Sequence, residues 1–222
     1  MMNRTTMTAL AIPALLAAGL GTALAGEKLL KLQIGTVRLV LPMPQGFCEP
    51  TGSLLALTKA NASADPENTT IATLTACNRA PAIAPWQNYV LIKAPNGLIN
   101  TAVPKETGLD QMDKIFSGPN SPKFDDSMTQ KTGDNTEKAF GTRIEITGQF
   151  GYAGRDTDCV YLAGPMQGKA EGVEKIVTGQ IATCITVVGS RMFAVNLYEL
   201  PAVSSIAKMK AQAHRIALSI HR

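Results

Sequence analysis

The chain has 222 residues, with 21 basic and 17 acidic side chains and a formal net charge of +4. A charge balance this mild argues against a nucleic-acid-binding protein, which typically carries a concentrated basic surface. Beyond the N-terminal region the composition is that of a folded protein with room for a sizeable core, and no second apolar run is long enough to span a membrane.

The N-terminus has the three-part layout of a secretory signal. Arg4 supplies a positive charge, an uncharged Ala- and Leu-rich stretch follows, and Ala23-Leu24-Ala25 forms an A-x-A cleavage site. This layout predicts a cleavable signal peptide over residues 1–25 and one mature domain over residues 26–222. The alternative is an uncleaved membrane anchor. No cysteine follows the cleavage site, so a lipoprotein is not expected, and the short Ala-rich signal indicates the bacterial periplasm or the medium.

Four cysteines lie in the predicted mature part, at positions 48, 77, 159 and 184. An even number in an exported chain favours two disulfides. Of the three possible pairings we favour Cys48–Cys77 and Cys159–Cys184, because each pair lies within its own half of the chain. A zinc site is the alternative, but it would need tight spacings such as C-x-x-C, which this sequence lacks.

Alternating apolar and polar residues predict most of the strands. The predicted strands span residues 29–34, 37–41, 69–77, 89–92, 143–150 and 160–163. Residues 173–188 and 192–200 predict a hairpin around Gly189-Ser190, and residues 53–60 and 109–116 predict helices. The polar residues 117–139 are interpreted as a long surface loop, with a helical turn within it as an alternative, and residues 151–158 as a turn region.

The last predicted element is a helix that begins at Ser204 or Ser205 and continues to about His221. Its apolar residues recur at helical spacing, so one face should pack on a sheet; they are Ile206, Met209, Ala213, Ile216 and Ile220. Consecutive strands joined by short turns imply antiparallel pairing. The predicted class is therefore α+β, a mainly antiparallel sheet with the C-terminal helix and one or two other helices packed on it.

The search for catalytic chemistry gives only weak candidates. Asp156 and Asp158 form an Asp-x-Asp unit that could hold a metal ion, although Asp also favours hydrated turns. The two histidines, His214 and His221, lie about 10 Å apart along the last helix, which is too far for one shared metal. No catalytic residue and no cofactor is therefore expected.

Residues 37–48, with the sequence VRLVLPMPQGFC, resemble the beginning of small exported bacterial proteins of unknown function. Those proteins open with a strand, a proline-glycine-aromatic-cysteine turn, a helix and a second cysteine, which would be Cys77 here. The stretch Asp158-Cys159-Val160-Tyr161 and the final strand and helix also fit. More distantly, the order of elements is similar to the PsbP/Mog-like fold, an antiparallel sheet with packed helices in proteins that bind other proteins. The resemblance implies binding and assigns no activity.

Three functions remain open from the sequence. The first is an exported, non-catalytic module that binds a protein or a cell-envelope component, with residues 117–139 and 151–158 as its binding surface. The second is a periplasmic metal-assisted hydrolase that uses Asp156 and Asp158. The third is a structural protein of the envelope.

Overall fold

The structure is a computed structural model and describes residues 28–77, 88–119, 121 and 126–222. The predicted signal peptide lies outside these residues. The helices are α1 (Gly52–Ser63), α2 (Lys105–Ser117), α3 (Asp126–Phe140) and α4 (Ile206–Ser219), with a short 3-10 helix at Asn96–Leu98. The strands are β1 (Leu29–Ile34), β2 (Val37–Pro42), β3 (Phe47–Cys48), β4 (Asn68–Ala76), β5 (Tyr89–Pro95), β6 (Ile144–Gly148), β7 (Gly151–Arg155), β8 (Val160–Ala170), β9 (Ile176–Val188) and β10 (Arg191–Glu199). Within the described ranges no helix has the length and apolarity needed to cross a membrane.

Eight strands form one antiparallel sheet in the order β3-β4-β5-β10-β9-β8-β6, with β7 also paired to β8. Strands β1 and β2 form a separate antiparallel hairpin. The predicted class, α+β with a mainly antiparallel sheet and a C-terminal helix on it, is confirmed.

The two faces of the sheet have different covers, as β10 shows. Phe193, Val195 and Leu197 lie in the core that also contains α4 and the β1–β2 hairpin. The intervening side chains point to the opposite face because strand residues alternate, and there Ala194 packs towards α2. The helices α1 and α3 lie over the rest of that second face, at a cavity they share with the sheet.

Helix α4 begins at the N-cap residue Ser205, whose hydroxyl accepts a hydrogen bond from the backbone N–H of Lys208. The predicted apolar stripe is confirmed at four positions, since Met209, Ala213, Ile216 and Ile220 are buried in the core. Beyond the helix, His221 exchanges two backbone hydrogen bonds with Val40 of β2. The C-terminal segment is therefore held to both the sheet and the hairpin.

The predicted β9–β10 hairpin is also confirmed. Val188 pairs with Arg191, which leaves Gly189 and Ser190 as a two-residue turn. Both turn residues have positive φ, 58° and 61°. Two-residue hairpin turns of this type match the right-handed twist of the strands but need φ values that glycine adopts most easily.

Residues 117–139 are not a continuous loop, because α3 begins at Asp126. The sequence does not predict this helix because the described side chains, from residue 130 to 139, make polar contacts and form no apolar stripe. The buried Thr136 hydroxyl donates to the carbonyl of Gly133 and accepts from the backbone N–H of Ile144. A Cβ at Gly133 would lie 2.9 Å from the Arg143 guanidinium, so glycine permits the close approach. Hydrophobic periodicity cannot detect a helix that docks in this way.

Residues 151–158 are likewise not only a turn, since Gly151–Arg155 forms β7. Strand β8 also extends to Ala170 rather than ending at Ala163. Its outer edge is shared, with β7 pairing to the first half and β6 to the second. The glycines and the proline in β8 therefore mark the point where its partner strand changes, and not the end of the strand. Glycine is needed there, because a Cβ on Gly164 would lie 2.1 Å from the carbonyl oxygen of Gln149.

The structure joins Cys48 to Cys77 and Cys159 to Cys184, the two pairs that the sequence favoured. Cys159 and Cys184 are fully buried beneath α4 and link the start of β8 to β9. Cys48 is half-buried and ties the edge strand β3 to the end of β4. Two disulfides are typical of a protein from an oxidising compartment.

Replacing both Cys159 and Cys184 by alanine should lower the free energy of unfolding by about 3–4 kcal/mol, because the unfolded chain loses a cross-link between residues 25 apart. Urea unfolding followed by circular dichroism measures the change. The matched comparison replaces Cys48 and Cys77, whose separation of 29 residues gives a similar cross-link contribution. Its total loss should be smaller, because only the Cys159–Cys184 pair is fully buried and loses core packing as well. An unchanged unfolding midpoint without the buried bond would contradict the account.

Candidate functional site

Asp156 and Asp158, the candidate metal ligands from the sequence, lie in the turn between β7 and β8. The Oδ1 atom of Asp156 accepts hydrogen bonds of 2.8 Å from the backbone N–H groups of Asp158 and Cys159. Asp158 instead bonds Lys105 of α2, with an Nζ–Oδ1 distance of 2.5 Å. That bond, opposed in part by burial, lowers the pKa of Asp158. The two carboxylates therefore serve different partners.

The second oxygen of Asp156 belongs to a cluster that we call the Tyr161 cluster, formed by Asp156, Tyr161, Lys210 and His214. The Tyr161 hydroxyl lies 2.6 Å from Oδ2 of Asp156 and 2.5 Å from Nδ1 of His214. Lys210 lies over the Tyr161 ring, 4.6 Å from its centroid, and donates to the carbonyl oxygen of Ala153. The cluster thus joins α4 to the β7–β8 turn.

The proton positions in the Tyr161 cluster follow from its hydrogen bonds. Burial alone would raise the pKa of Asp156, but the Tyr161 hydroxyl, the two backbone N–H groups and nearby His214 hold that pKa below its usual value. Burial and the bond to Asp156 raise the pKa of Tyr161. Tyr161 therefore keeps its proton and donates it to Asp156. The Nδ1 atom of His214 lies 2.5 Å from the Tyr161 oxygen and 3.2 Å from Oδ2 of Asp156, so the imidazole contacts both side chains.

An open cleft of about 570 Å³ adjoins the Tyr161 cluster and is also lined by Arg155 and Arg215. Arg155 forms a 2.6 Å ion pair with Asp110 of α2. Apart from Arg215, which is exposed, the polar side chains of this cleft bond one another, the backbone or α2. The arrangement fastens α4 and α2 to the turn.

The donor set around Asp156 does not fit a metal ion. Ligand atoms of Asp156, Cys159 and His214 lie within 4.8 Å of one another. However, the Cys159 sulfur is bonded to Cys184, so it offers no thiolate. The Nδ1 atom of His214 already contacts the Tyr161 hydroxyl and Oδ2 of Asp156, and Asp158 is bound to Lys105. The residue types that suggested a metal site are thus used as structural contacts.

A larger cavity, of about 950 Å³, lies on the sheet face opposite α4, and we call it the sheet-face cavity. The sheet forms its floor and one wall with mostly apolar side chains: Leu91, Phe150, Met166, Val177, Ile181 and Ala194. The helices α1 and α3 form the other wall with Leu57, Asn61, Thr132, Asn135 and Thr136. This volume falls within the range of small-molecule pockets in proteins.

A few polar groups stand in this apolar lining. Asn196 donates to the carbonyl of Leu91 and accepts from the hydroxyl of Thr183. Tyr198 is buried, which raises the pKa of its hydroxyl. A mostly apolar pocket with a few oriented polar groups is the usual composition of a ligand site.

Two ion pairs lie at the end of the cavity where β4 begins. Lys93 and Asp65 are 2.6 Å apart, with side chains only 17% and 26% exposed. Burial alone would raise the pKa of Asp65, but the charge and hydrogen bond of Lys93 keep that pKa below its usual value. Lys131 of α3 pairs with Glu67 in the same region. The charges at this end are therefore compensated within the protein.

The surface predicted from residues 117–139 and 151–158 is not one surface. The described part of the first stretch contributes α3 to the sheet-face cavity, whereas Asp156 belongs to the Tyr161 cluster on the other side of the sheet. Sequence reasoning missed both His214 as a partner of Asp156 and the cavity itself. The Asp-x-Asp turn and the lone histidine of α4 were visible, but only the pairing of β8 beneath α4 brings them together.

Comparison with known proteins gives no family for this chain. No protein-family model, no curated protein and no solved structure matches it. We therefore infer the function from the geometry of the two sites.

Replacing Asp156 by asparagine should lower the free energy of unfolding at pH 7 by about 1–2 kcal/mol, because a charge-assisted acceptor is lost. The folded-state pKa of Asp156 lies below its unfolded value, so the ionised carboxylate stabilises the fold above about pH 4, and this contribution disappears as pH falls through the folded pKa. The difference between wild type and D156N should shrink accordingly.

Urea unfolding at several pH values between 2 and 7 checks this expectation. E174Q is the control, because it removes an exposed carboxylate for which the described residues show no ion pair. A difference between wild type and D156N that stays constant down to pH 2 would contradict the assigned protonation.

Proposed function

We propose that this protein is an exported, non-catalytic module that binds a lipid-like component of the cell envelope, with the apolar part of that component in the sheet-face cavity. The single observation that carries the proposal is the cavity itself: about 950 Å³, lined mainly by apolar side chains of the sheet. Protein interiors are close-packed, and voids larger than a water molecule are few. A space of this size between a sheet and two helices can hold a ligand.

The chemistry of the lining supports an apolar ligand. Burying apolar surface is favourable by about 25 cal/mol per Å², and the side chains of Ile181, Val177 and Met166 offer such surface on one wall. On the sheet, the polar side chain of Asn196 is bonded to Thr183 and to the backbone, whereas the helix wall adds polar side chains such as Asn61 and Asn135. The apolar surface of the sheet is therefore the part of the lining that favours an apolar ligand.

The proposed function also requires that the protein is exported. Export is supported by the signal-like N-terminus and by the two disulfides. An apolar molecule that leaves a membrane for an aqueous compartment needs a covered site, and a disulfide-stapled module in the envelope can provide one.

The hydrolase alternative has less support. It requires Asp156 and Asp158 to act on one metal ion or one substrate. Asp158 is held by Lys105, and Asp156 is held by Tyr161 and two backbone N–H groups. We therefore favour binding over catalysis.

Residues 26–222 should bind the uncharged fluorescent probe N-phenyl-1-naphthylamine, with an increase in its emission. Replacing Ala194, which lines the cavity, by phenylalanine should weaken binding at least tenfold, because the larger side chain occupies the apolar space. The matched control is A207F, the same change at an exposed position of α4 on the opposite side of the sheet.

A second variant, A170F, fills the cavity near the β8–β9 turn. It keeps the test informative if A194F does not fold. Thermal unfolding shows which variants are folded. Equal affinities of wild type and both folded cavity variants, or no binding by wild type, would refute the proposed site.

A further inference from the structure

The charges around the sheet-face cavity are unevenly distributed. Three lysines and two acidic residues line it: Lys93, Lys131, Lys175, Asp65 and Glu67. Lys93 pairs with Asp65, and Lys131 pairs with Glu67. Lys175 has no ion pair within the described residues. The cavity therefore carries one uncompensated positive charge.

Measured along β9, Lys175 lies far from the Lys93–Asp65 pair. Lys175 directly precedes β9. Further along β9, Ile185 pairs with Ala194 of β10, and Ala194 pairs with Lys93 of β5. At about 3.3 Å per strand residue, positions 175 and 185 are on the order of 30 Å apart along the strand. Lys175 and Lys93 thus lie at two ends of the cavity.

Lys175 is open to solvent, and an apolar side chain of the cavity lining lies two residues before it. That side chain, Val173, is 48% exposed. Further along β9, Val177 and Ile181 line the cavity, and strand alternation places both on the same face as position 175. An exposed cation thus stands at the start of an apolar path that leads inward.

We propose that the ligand is a long-chain carboxylate, whose head group binds the Lys175 ammonium while its hydrocarbon chain lies along β9 in the cavity. This inference rests on the proposed function, since it names the ligand of the same site. One uncompensated ammonium matches a single negative charge. Glu171 and Glu174 are exposed on the same hairpin and do not line the cavity, and within the described residues neither forms an ion pair with Lys175.

The test is displacement of N-phenyl-1-naphthylamine from residues 26–222 by three amphiphiles with a 16-carbon chain: hexadecanoate, hexadecyl phosphate and the uncharged hexadecanoylglycerol. Wild type should bind hexadecanoate about twofold to fivefold more tightly than hexadecanoylglycerol, the range for one exposed ion pair. K175A should lose this preference and keep its affinity for the uncharged compound.

K169A is the matched control, because Lys169 is exposed on the same hairpin and does not line the cavity. It should keep the wild-type preference. Raising the salt concentration to about 1 M should also reduce the preference, because salt screens exposed charges.

The outcomes separate the two proposals. Binding of the probe with equal affinities for hexadecanoate and hexadecanoylglycerol, or an unchanged preference in K175A, would overturn the charge assignment and leave the cavity as an apolar site. Tighter binding of hexadecyl phosphate than of hexadecanoate would overturn the choice of a carboxylate. No binding of the probe or of any amphiphile would overturn the proposed function and this inference together.

Discussion

The packing of α4 and the β1–β2 hairpin on one face of β9 and β10 is the contact on which the other features depend. It buries Phe193, Val195 and Met209 in one core. Because side chains alternate along a strand, the same two strands must send their intervening residues to the opposite face. That face is covered by α2 at one end and by the sheet-face cavity elsewhere. The cavity is thus the consequence of a sheet whose first face is fully packed and whose second face is only partly covered.

The Tyr161 cluster and the buried disulfide reinforce this contact from the sheet side. The Cys159–Cys184 bond holds the start of β8 to β9 directly beneath α4. Two residues further along β8, Tyr161 connects His214 of α4 to Asp156 of the turn. A hydrogen-bonded cluster beside an apolar stripe fixes the position of a helix more closely than the stripe alone, because its donors and acceptors must meet. The cluster therefore has a positioning role, although its residue types are those of many catalytic sites.

The sequence predicted the elements that depend on local pattern. The β9–β10 hairpin follows from Gly189-Ser190 between two apolar runs, and α4 follows from its cap and stripe. It did not predict α3, which docks through Gly133 and Thr136, nor the full length of β8, whose edge is shared by two strands. The candidate site was least predictable. A cavity exists because of the distance between α3 and the sheet, and no residue pattern encodes a distance between elements that are far apart in the chain.

We propose that the sheet-face cavity binds a lipid-like molecule of the cell envelope. Native mass spectrometry of the protein, purified from a bacterial periplasm without detergent, tests this most directly. We expect a bound species of lipid mass on the wild-type chain that is released on denaturation, and its absence from a folded variant whose cavity is filled. A wild-type spectrum at the mass of the polypeptide alone, in preparations that still bind no added amphiphile, would contradict it.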